Sequence, residues 1–234
     1  MPGTLYLIPV PLGPVPPETC LPPDTLSVAR RLDRFVVERA KTARAHLKAM
    51  AHPLPIQQID MQELNEHTPA HAIADLLAPL HAGHDVGLLS EAGCPAVADP
   101  GANLVRAAHA AGIAVVPLVG PSSILLALMA SGLGGQRFSF HGYLPAREPE
   151  RSRSIQALEK AARRDQATQL FIETPYRAAA LLDALAATLS PSVMISVAAD
   201  LGLPSQQLRT QRASDWRRRG DLVKDRLVVF GIGI

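Results

Sequence analysis

The sequence predicts an α/β fold in which two α/β domains, residues 1–134 and 135–234, face each other across a cleft. Two consecutive strand–loop–helix units support this prediction. An apolar strand runs into a Gly/Pro-rich loop and a helix at 85–112, and the same order recurs at 113–131. Such units build parallel sheets, so both loops should lie at the carboxyl edge of one sheet, where open α/β sheets bind small ligands. A glycine cluster at 132–135 follows and is typical of a linker between domains.

The first domain alternates strands and helices, and several of its helix boundaries are recognisable. Asp24, Thr68 and Asp99 can each accept hydrogen bonds from the free N–H groups at a helix start. Pro100 suits a first helical turn, and Gly112 can end that helix because it adopts a positive φ without strain. The predicted strands are 4–9, 35–38, 56–59, one beginning at 85, and 113–119, and the predicted helices are 24–32, 42–50, 68–83, 99–112 and 124–131.

The second domain continues the alternation and carries more positive charge. Residues 1–137 hold 9 Lys/Arg and 11 Asp/Glu, whereas residues 138–234 hold 14 and 10. This split favours an anionic partner for the second region. The predicted strands are 138–142, 169–172, 193–198 and 226–231, with a strand or turn at 207–210, and the predicted helices are 151–164 and 174–189.

One basic cluster leaves two interpretations open. Arg217, Arg218 and Arg219 follow Trp216 directly. An aromatic ring beside three cations fits a clamp on nucleic acid, through stacking and phosphate contacts. The same run also fits the solvated end of a helix.

Composition indicates a folded cytoplasmic protein. Of the 234 residues, 47% are hydrophobic, and the apolar runs are far too short to span a bilayer. The first residues lack the basic region, apolar core and cleavage site of a signal peptide. Cys20 and Cys94 have no disulfide, metal or redox spacing, and no His/Asn or His/Asp pattern accompanies Cys94 as a catalytic thiol. We therefore expect neither a membrane partner nor a metal.

The glycine loops form the candidate binding site. They match neither the G-x-x-x-x-G-K-[ST] phosphate loop nor the G-x-G-x-x-G dinucleotide fingerprint. Each of the glycines alone is explained by a turn of the chain without any ligand. They are Gly93, Gly101 and Gly120. Their joint placement after successive strands favours ligand binding at the sheet edge.

Several segments resemble motifs of the tetrapyrrole methylase superfamily. The stretch at 89–101, LSEAGCPAVADPG, resembles S-D-A-G-x-P-x-x-S-D-P-G, and VGPSS at 119–123 resembles P-G-P-S-A. Segments at 3–13, 137–145 and 171–177 are similar to further motifs in the same order, so the resemblance spans essentially the whole chain. Within the superfamily, the chain is most similar to the bacterial 16S ribosomal RNA cytidine 2′-O-methyltransferases.

The resemblance implies a methyltransferase that folds S-adenosylmethionine into the cleft and holds it mostly through backbone groups. It also implies a homodimer that needs no metal. The residues that it places around the methyl donor come from both domains. They are Pro11, Ala92, Gly93, Cys94, Pro95, Val97, Ser122, Ser123, Glu173 and Ala199.

Methyl transfer requires an acceptor, the methyl carbon and the sulfur to be aligned while water is excluded. A hydroxyl acceptor also benefits from a general base, and Glu91 and Glu66 are the candidates. The family's A-E-D-T-R and H-E-H-N-E segments read VERAK at 37–41 and QELNE at 62–66, which changes loops expected to face the substrate. Three hypotheses therefore stay open: methylation of RNA, methylation of a tetrapyrrole-like or other small molecule, and binding of cofactor or a partner without catalysis.

Overall fold

A computed structural model of the chain describes residues 1–69, 71–216 and 220–234. The chain forms two compact units, Met1–Ser122 and Ser123–Ile234. Each unit has one sheet with helices between its strands, so the predicted fold of two α/β domains is confirmed. No helix in the described part of the chain is long and apolar enough to cross a membrane.

The first unit contains a parallel sheet with helices as crossover connections. Its strand order is β3-β2-β4-β1-β5, and every neighbouring pair is parallel. The strands are β1 (Thr4–Ile8), β2 (Arg34–Val37), β3 (Asp60–Glu63), β4 (Val86–Leu89) and β5 (Ala114–Pro117). The helices are α1 (Pro23–Arg31), α2 (Ala40–Ala49), α3 (Ala72–His81) and α4 (Gly101–Ala110).

Both faces of this sheet are buried, as expected for a parallel sheet covered by helices. Alternate residues of β2 face opposite layers. Phe35 packs in a cluster with Leu47 and Met50, whereas Val36 packs in a second cluster with Leu104. The sheet is therefore fixed from both sides, and the loops at its carboxyl edge extend from a rigid base.

The second unit contains a mixed sheet of order β6-β7-β10-β8-β9, in which only β6 and β7 are parallel to each other. Its core includes the stacked rings of Phe171 and Phe230. The strands are β6 (Phe138–Tyr143), β7 (Thr168–Glu173), β8 (Met194–Ala199), β9 (Gln207–Arg212) and β10 (Val228–Gly233). The helices are α5 (Ser123–Ser131), α6 (Glu150–Asp165) and α7 (Pro175–Thr188).

The boundary between the units lies before α5, not in the glycine cluster at 132–135. Helix α5 packs against β8, β9 and β10 of the second unit. The predicted boundary after residue 134 assigned this helix to the first unit, because its strand–loop–helix pattern continues from β5. The helix is apolar on all sides, so its sequence does not reveal which sheet it covers.

Several local predictions differ from the structure. Helix α1 follows Pro22 with no side-chain cap, and Asp24 lies inside its first turn. Thr68 accepts a hydrogen bond from the N–H of Asn65 and does not cap α3, which begins at Ala72. The predicted strand at 56–59 is largely a 3₁₀ turn, and strand β3 follows it. This strand lies at the sheet edge and is mostly polar, so no apolar pattern marks it.

Trp216 belongs to the core of the second unit. Its indole is 4% exposed, and its Nε1 donates to the carbonyl oxygens of Ile195 and Gln211, both at 3.3 Å. The ring therefore cannot stack on nucleic acid as one interpretation of the basic cluster requires. The neighbouring residues 217–219 lie outside the described part of the chain.

Candidate active site

Three loops meet at the carboxyl edge of the first sheet. Strand β1 lies between β4 and β5, with Leu7 opposite both Leu88 and Pro117. Because the three strands run in the same direction, the loops that follow them leave the sheet side by side. This confirms the predicted placement of the two glycine loops and adds the proline-rich loop after β1.

Main-chain bonds join the first two of these loops. The N–H of Val10 donates to the carbonyl of Gly93 at 3.0 Å, and the N–H of Gly93 donates back to the carbonyl of Val10 at 3.1 Å. The loop after β4 also contacts the loop after β5, because Cys94 Sγ donates to the carbonyl oxygen of Pro121 at 3.3 Å. The three loops therefore form one connected structure, which we call the triple loop (residues 9–13, 90–100 and 118–122).

Gly120 is required where the first and third loops touch. A Cβ atom at this position would lie 2.3 Å from Cβ of Pro9 and 3.1 Å from a methyl carbon of Leu21. Real Cβ atoms do not approach another carbon to 2.3 Å. Only glycine fits here without displacing the loop after β1.

The central loop has an unusual backbone. Gly93, Ala96 and Ala98 have φ values of 73°, 64° and 60°. Alanine in this left-handed region costs about 1 kcal/mol or more, because its Cβ crowds the following carbonyl. The loop therefore stores conformational strain that the surrounding contacts must offset.

Asp99 supplies contacts that hold this strained segment. Its Oδ1 accepts hydrogen bonds from the N–H of Ala96 at 2.9 Å and from the N–H of Gly101 at 2.8 Å. The second bond satisfies a free donor at the start of α4, as predicted. Burial raises the pKa of Asp99, and the two N–H groups oppose that rise. On the other side of the loop, Ser90 Oγ donates to the carbonyl of Gly93 at 3.0 Å.

The structure collects most of the predicted donor-binding residues in the triple loop. Pro11, Gly93 and Pro95 are buried, Cys94 and Ser122 are partly buried, and Ala92 and Val97 are exposed. Ser123 is the first residue of α5 and belongs to the second unit. Exposed apolar side chains at Val97 and Val119, 49% and 72% exposed, leave hydrophobic surface on the triple loop.

Cys94 is a structural thiol in this arrangement. Burial raises its pKa above the ordinary thiol value, so it stays protonated at neutral pH. The thiolate is the nucleophilic form, and no cation offsets the burial. The thiol instead donates its hydrogen to the third loop.

The two predicted general bases lie in different environments. Thr42 Oγ1 donates to Glu91 Oε2 at 3.0 Å, and His46 Nε2 lies 3.1 Å from the carbonyl oxygen of Glu91. Thr42 and His46 are four residues apart on α2 and therefore lie on one face of the helix. This face fixes both the carboxylate and the main-chain carbonyl of Glu91. The side chain of Glu66 is 84% exposed, and its Oε1 lies 3.6 Å from Nε2 of the exposed His67. Glu91 is thus the better oriented of the two.

Glu38 is a candidate that the sequence analysis missed. It follows β2 at the same sheet edge and is partly buried. Burial raises its pKa, and the negative charges of Glu91, Asp99 and Glu66 raise it further, against the opposing effect of Arg39. A carboxyl group with a raised pKa is a better proton acceptor than an exposed one. The segment at 37–41 contains this glutamate, but its pKa is raised by burial and by charges that the loops after β4 and β3 bring close to it.

In the second unit, the two predicted donor-binding residues lie at one sheet edge. Val228 pairs with Glu173 on one side and with Ala199 on the other. Ala199 is fully buried. Glu173 is 6% exposed, and its Oε1 accepts from the N–H of Thr174 at 2.6 Å and from Arg177 Nη2 at 2.6 Å. Its carboxylate is therefore fixed at the start of α7.

No group of three or more His, Cys, Asp or Glu side chains in the described residues is arranged to hold a metal ion. The site as described consists of main-chain atoms, small side chains and fixed carboxylates. Such a site can surround an organic ligand closely, align two reactants and accept a proton.

Comparison with known proteins agrees with these features. The family model for Tetrapyrrole (Corrin/Porphyrin) Methylases matches residues 5–216. The Ribosomal RNA small subunit methyltransferase I of Escherichia coli O157:H7 is 32% identical, over 98% of this chain and 78% of the relative. The protein of the same name from Xylella fastidiosa is 35% identical, over 85% of this chain and 68% of the relative.

Solved structures share the fold at lower sequence identity. The methyltransferase CobJ matches with a TM-score of 0.65 and 20% identity, over 99% of this chain and 94% of CobJ. A uroporphyrin-III-C-methyltransferase from Thermus thermophilus matches with a TM-score of 0.59 and 21% identity, over 100% and 93% of the two chains. Fold, motifs and relatives agree: the chain belongs to the tetrapyrrole methylase family and is an S-adenosylmethionine-dependent methyltransferase.

Proposed function

We propose that this enzyme holds S-adenosylmethionine against the triple loop and transfers its methyl group to a hydroxyl group of ribosomal RNA. The connection of the three loops carries this proposal. The main-chain bridge between Val10 and Gly93 and the bond from the Cys94 thiol to the Pro121 carbonyl join the three loops at the carboxyl edge of a parallel sheet. Open α/β sheets bind their ligands at this edge.

The residues present fit such a donor. Small residues and glycines allow the backbone to approach a ligand closely, and Val97 and Val119 provide exposed apolar surface. The bound donor supplies an electrophilic methyl group on a sulfonium. The residues that would hold it from the triple loop are Pro11, Ala92, Gly93, Cys94, Pro95, Val97 and Ser122, and Ser123 follows directly at the start of α5. Glu173 and Ala199 are the proposed contacts from the second unit.

Glu91 is the proposed proton acceptor. The Glu91 carboxylate would take the proton of the acceptor hydroxyl, while the bound donor would supply the methyl group and leave as a neutral thioether. Thr42 donates to one oxygen of Glu91 and thereby sets the direction of the other. Burial, followed by the charge of Glu91, raises the pKa of nearby Glu38.

The acceptor class rests on two observations. The relatives at 32% and 35% identity are named for ribosomal RNA of the small subunit. Residues 138–234 also carry an excess of Lys and Arg, which suits a polyphosphate chain. An RNA acceptor of this kind also supports the predicted cytoplasmic location. The homodimer implied by the resemblance is part of the proposal, and light scattering of the purified protein tests it.

Two measurements test donor and acceptor separately. Calorimetry with S-adenosylhomocysteine should show saturable binding to the purified enzyme. Incubation with methyl-labelled S-adenosylmethionine should then label small ribosomal subunits from a strain that lacks the gene. Label in small molecules but not in RNA would support the tetrapyrrole-like alternative. Donor binding without any methyl transfer would support a non-catalytic protein.

A variant tests the proton acceptor. Glu91→Gln keeps the hydrogen bond to Thr42 available but cannot accept the proton, so kcat should fall about 100-fold or more while S-adenosylhomocysteine binding is retained. Glu18→Gln, an exposed glutamate of the same unit, serves as the control and should keep wild-type kcat. An unchanged kcat in Glu91→Gln would exclude Glu91 and direct attention to Glu38.

A further inference from the structure

The described chain exposes few aromatic side chains and places two of them at one sheet edge. Its aromatic residues number three Tyr, five Phe and one Trp, and all lie in the described ranges. Most are buried or partly buried. The exposed ones in this part of the chain are Phe138, Tyr143 and Tyr176, which are 41%, 59% and 77% exposed. Single exposed apolar residues are common on protein surfaces, whereas exposed rings that cluster at one edge indicate a binding surface.

Strand topology brings the two tyrosines to that edge. Tyr143 ends β6 and pairs with Ile172, near the end of β7. Tyr176 lies in the first turn of α7, directly after β7. Because β6 and β7 are parallel, both rings lie at the carboxyl end of this strand pair.

Arg177 contacts the ring of Tyr176 and senses the charge of Tyr143. Its guanidinium carbon lies 5.6 Å from the centre of the Tyr176 ring, within cation–π range. Tyr143 also interacts electrostatically with Arg177. The ion pair with buried Glu173 fixes the guanidinium, with Nη2 at 2.6 Å and Nε at 2.9 Å from Oε1. The ring of Tyr176 nevertheless stays largely exposed.

We propose that Tyr143, Tyr176 and Arg177 form a stacking platform for an unpaired nucleobase of the RNA acceptor. This inference rests on the proposed RNA substrate. Exposed aromatic rings with an arginine plane are the groups that single-stranded RNA stacks upon, and such stacking tolerates every base. The fixed arginine adds a cation for the neighbouring phosphate. The platform positions the strand that carries the acceptor hydroxyl.

The test compares ring-removing and ring-keeping variants of the full-length enzyme. The probe is a short single-stranded oligoribonucleotide that carries one 2-aminopurine, whose fluorescence falls on stacking. Tyr176→Leu should weaken RNA binding about 5- to 100-fold and reduce the quenching. Tyr176→Phe should bind within about 3-fold of wild type, because the ring is what stacks. Tyr143→Leu should have a smaller effect in the same direction.

Matched controls separate this platform from other roles. Phe138→Leu removes an exposed ring at the opposite end of β6 and should leave RNA affinity unchanged. Binding of S-adenosylhomocysteine to Tyr176→Leu should equal that of wild type, which also reports that the variant is folded. In methyl transfer to small ribosomal subunits, Tyr176→Leu should raise KM and leave kcat near wild type.

Each contrary outcome has a distinct meaning. If wild type methylates RNA but Tyr176→Leu keeps wild-type affinity and KM for it, the platform is wrong and the proposed function stands. If Tyr176→Leu loses donor affinity instead, the rings contact the adenine of the donor and the inference is overturned. If the wild-type enzyme neither binds the oligonucleotide nor labels RNA, the proposed acceptor fails and the platform fails with it.

Discussion

The two units build their functional edges from different parts of the chain. In the first unit, close contacts that each involve the main chain join three loops: the Val10–Gly93 bridge, the bond from the Cys94 thiol to the Pro121 carbonyl and the approach of the Gly120 backbone to Pro9. In the second unit, the edge consists of side chains, chiefly the fixed Glu173–Arg177 pair with exposed tyrosine rings. Ligand binding at an edge of closely packed backbone should be weakened by substitutions that add side-chain atoms. Ligand binding at an edge made of side chains should be weakened by substitutions that remove them.

This difference matches the two tasks of the proposed reaction. The methyl donor is the same molecule in every turnover, so a close-fitting, rigid surface suits it. An RNA strand brings a variable sequence and a charged backbone, which exposed rings and cations can contact without a fixed shape.

The largest effect should come from a single methyl group at the contact of the first and third loops. Gly120→Ala places a Cβ atom 2.3 Å from Cβ of Pro9, so the loop after β1 must move. A displacement of about 1 Å at a site that aligns reactants can cost about 100-fold in activity. We expect a loss of that order in kcat/KM and weaker binding of S-adenosylhomocysteine by calorimetry.

Gly135→Ala is the matched control for this variant. Its added Cβ would meet nothing nearer than a side-chain carbon of Leu128 at 3.7 Å, an ordinary contact. It should keep wild-type activity and donor affinity. Equal activity in the two alanine variants would show that the triple loop tolerates displacement and would argue against a rigid backbone-built donor site.

Local sequence chemistry predicted the parallel units and the glycine loops correctly. Asp99, Pro100 and Gly112 mark the start and end of α4 through hydrogen bonding and φ preferences that act within a few residues. The predicted position of the loops at one edge then followed from the direction of parallel strands. These features depend on short-range rules, which a sequence displays directly.

The features that the sequence did not reveal depend on packing at long range. Helix α5 is apolar on all sides, so its assignment to the second sheet required the contacts with β8, β9 and β10. Strand β3 is an edge strand of mixed polarity. Glu38 has a raised pKa only because burial and the charges of Glu91 and Asp99 converge on it. Each of these features depends on residues that lie far away in the sequence, so the local sequence does not predict it.

A smaller effect should follow from relieving strain in the central loop. Ala96 has a φ of 64°, which glycine adopts freely but alanine does not. Ala96→Gly should therefore raise the free energy of unfolding by about 0.5 kcal/mol, the relieved strain minus the added entropy of the unfolded chain. Urea denaturation followed by circular dichroism measures the change.

The control for Ala96→Gly is the same substitution in a helix. Ala157 is exposed within α6, and Ala157→Gly should lower the free energy of unfolding by about 1 kcal/mol. Opposite signs for the two variants would confirm that the loop alanine is strained. A loss of stability in both would show that Asp99 and its hydrogen bonds already hold the loop without strain.

The smallest effect concerns the charge of Glu38 and depends on pH. Its pKa is raised in the folded protein above the ordinary value of 4.5, by burial and by the charges of Glu91, Asp99 and Glu66. The folded state therefore binds this proton more tightly than the unfolded chain does. Its contribution to stability is fully present below pH 4.5 and is lost as pH rises through the folded pKa.

Glu38→Gln removes this titration. Because Glu38 is only partly buried, the variant should be more stable than wild type at pH 8 by less than about 0.5 kcal/mol, with the difference shrinking toward zero at pH 4. Urea unfolding midpoints at pH 4, 6 and 8 measure the trend, and Glu18→Gln, an exposed carboxyl group of the same unit, provides the baseline. A stability gain together with reduced kcat would mean that the enzyme keeps a destabilising carboxylate for its chemistry. A difference from wild type that grows toward low pH would contradict the raised pKa, and with it the role of the neighbouring charges at this edge.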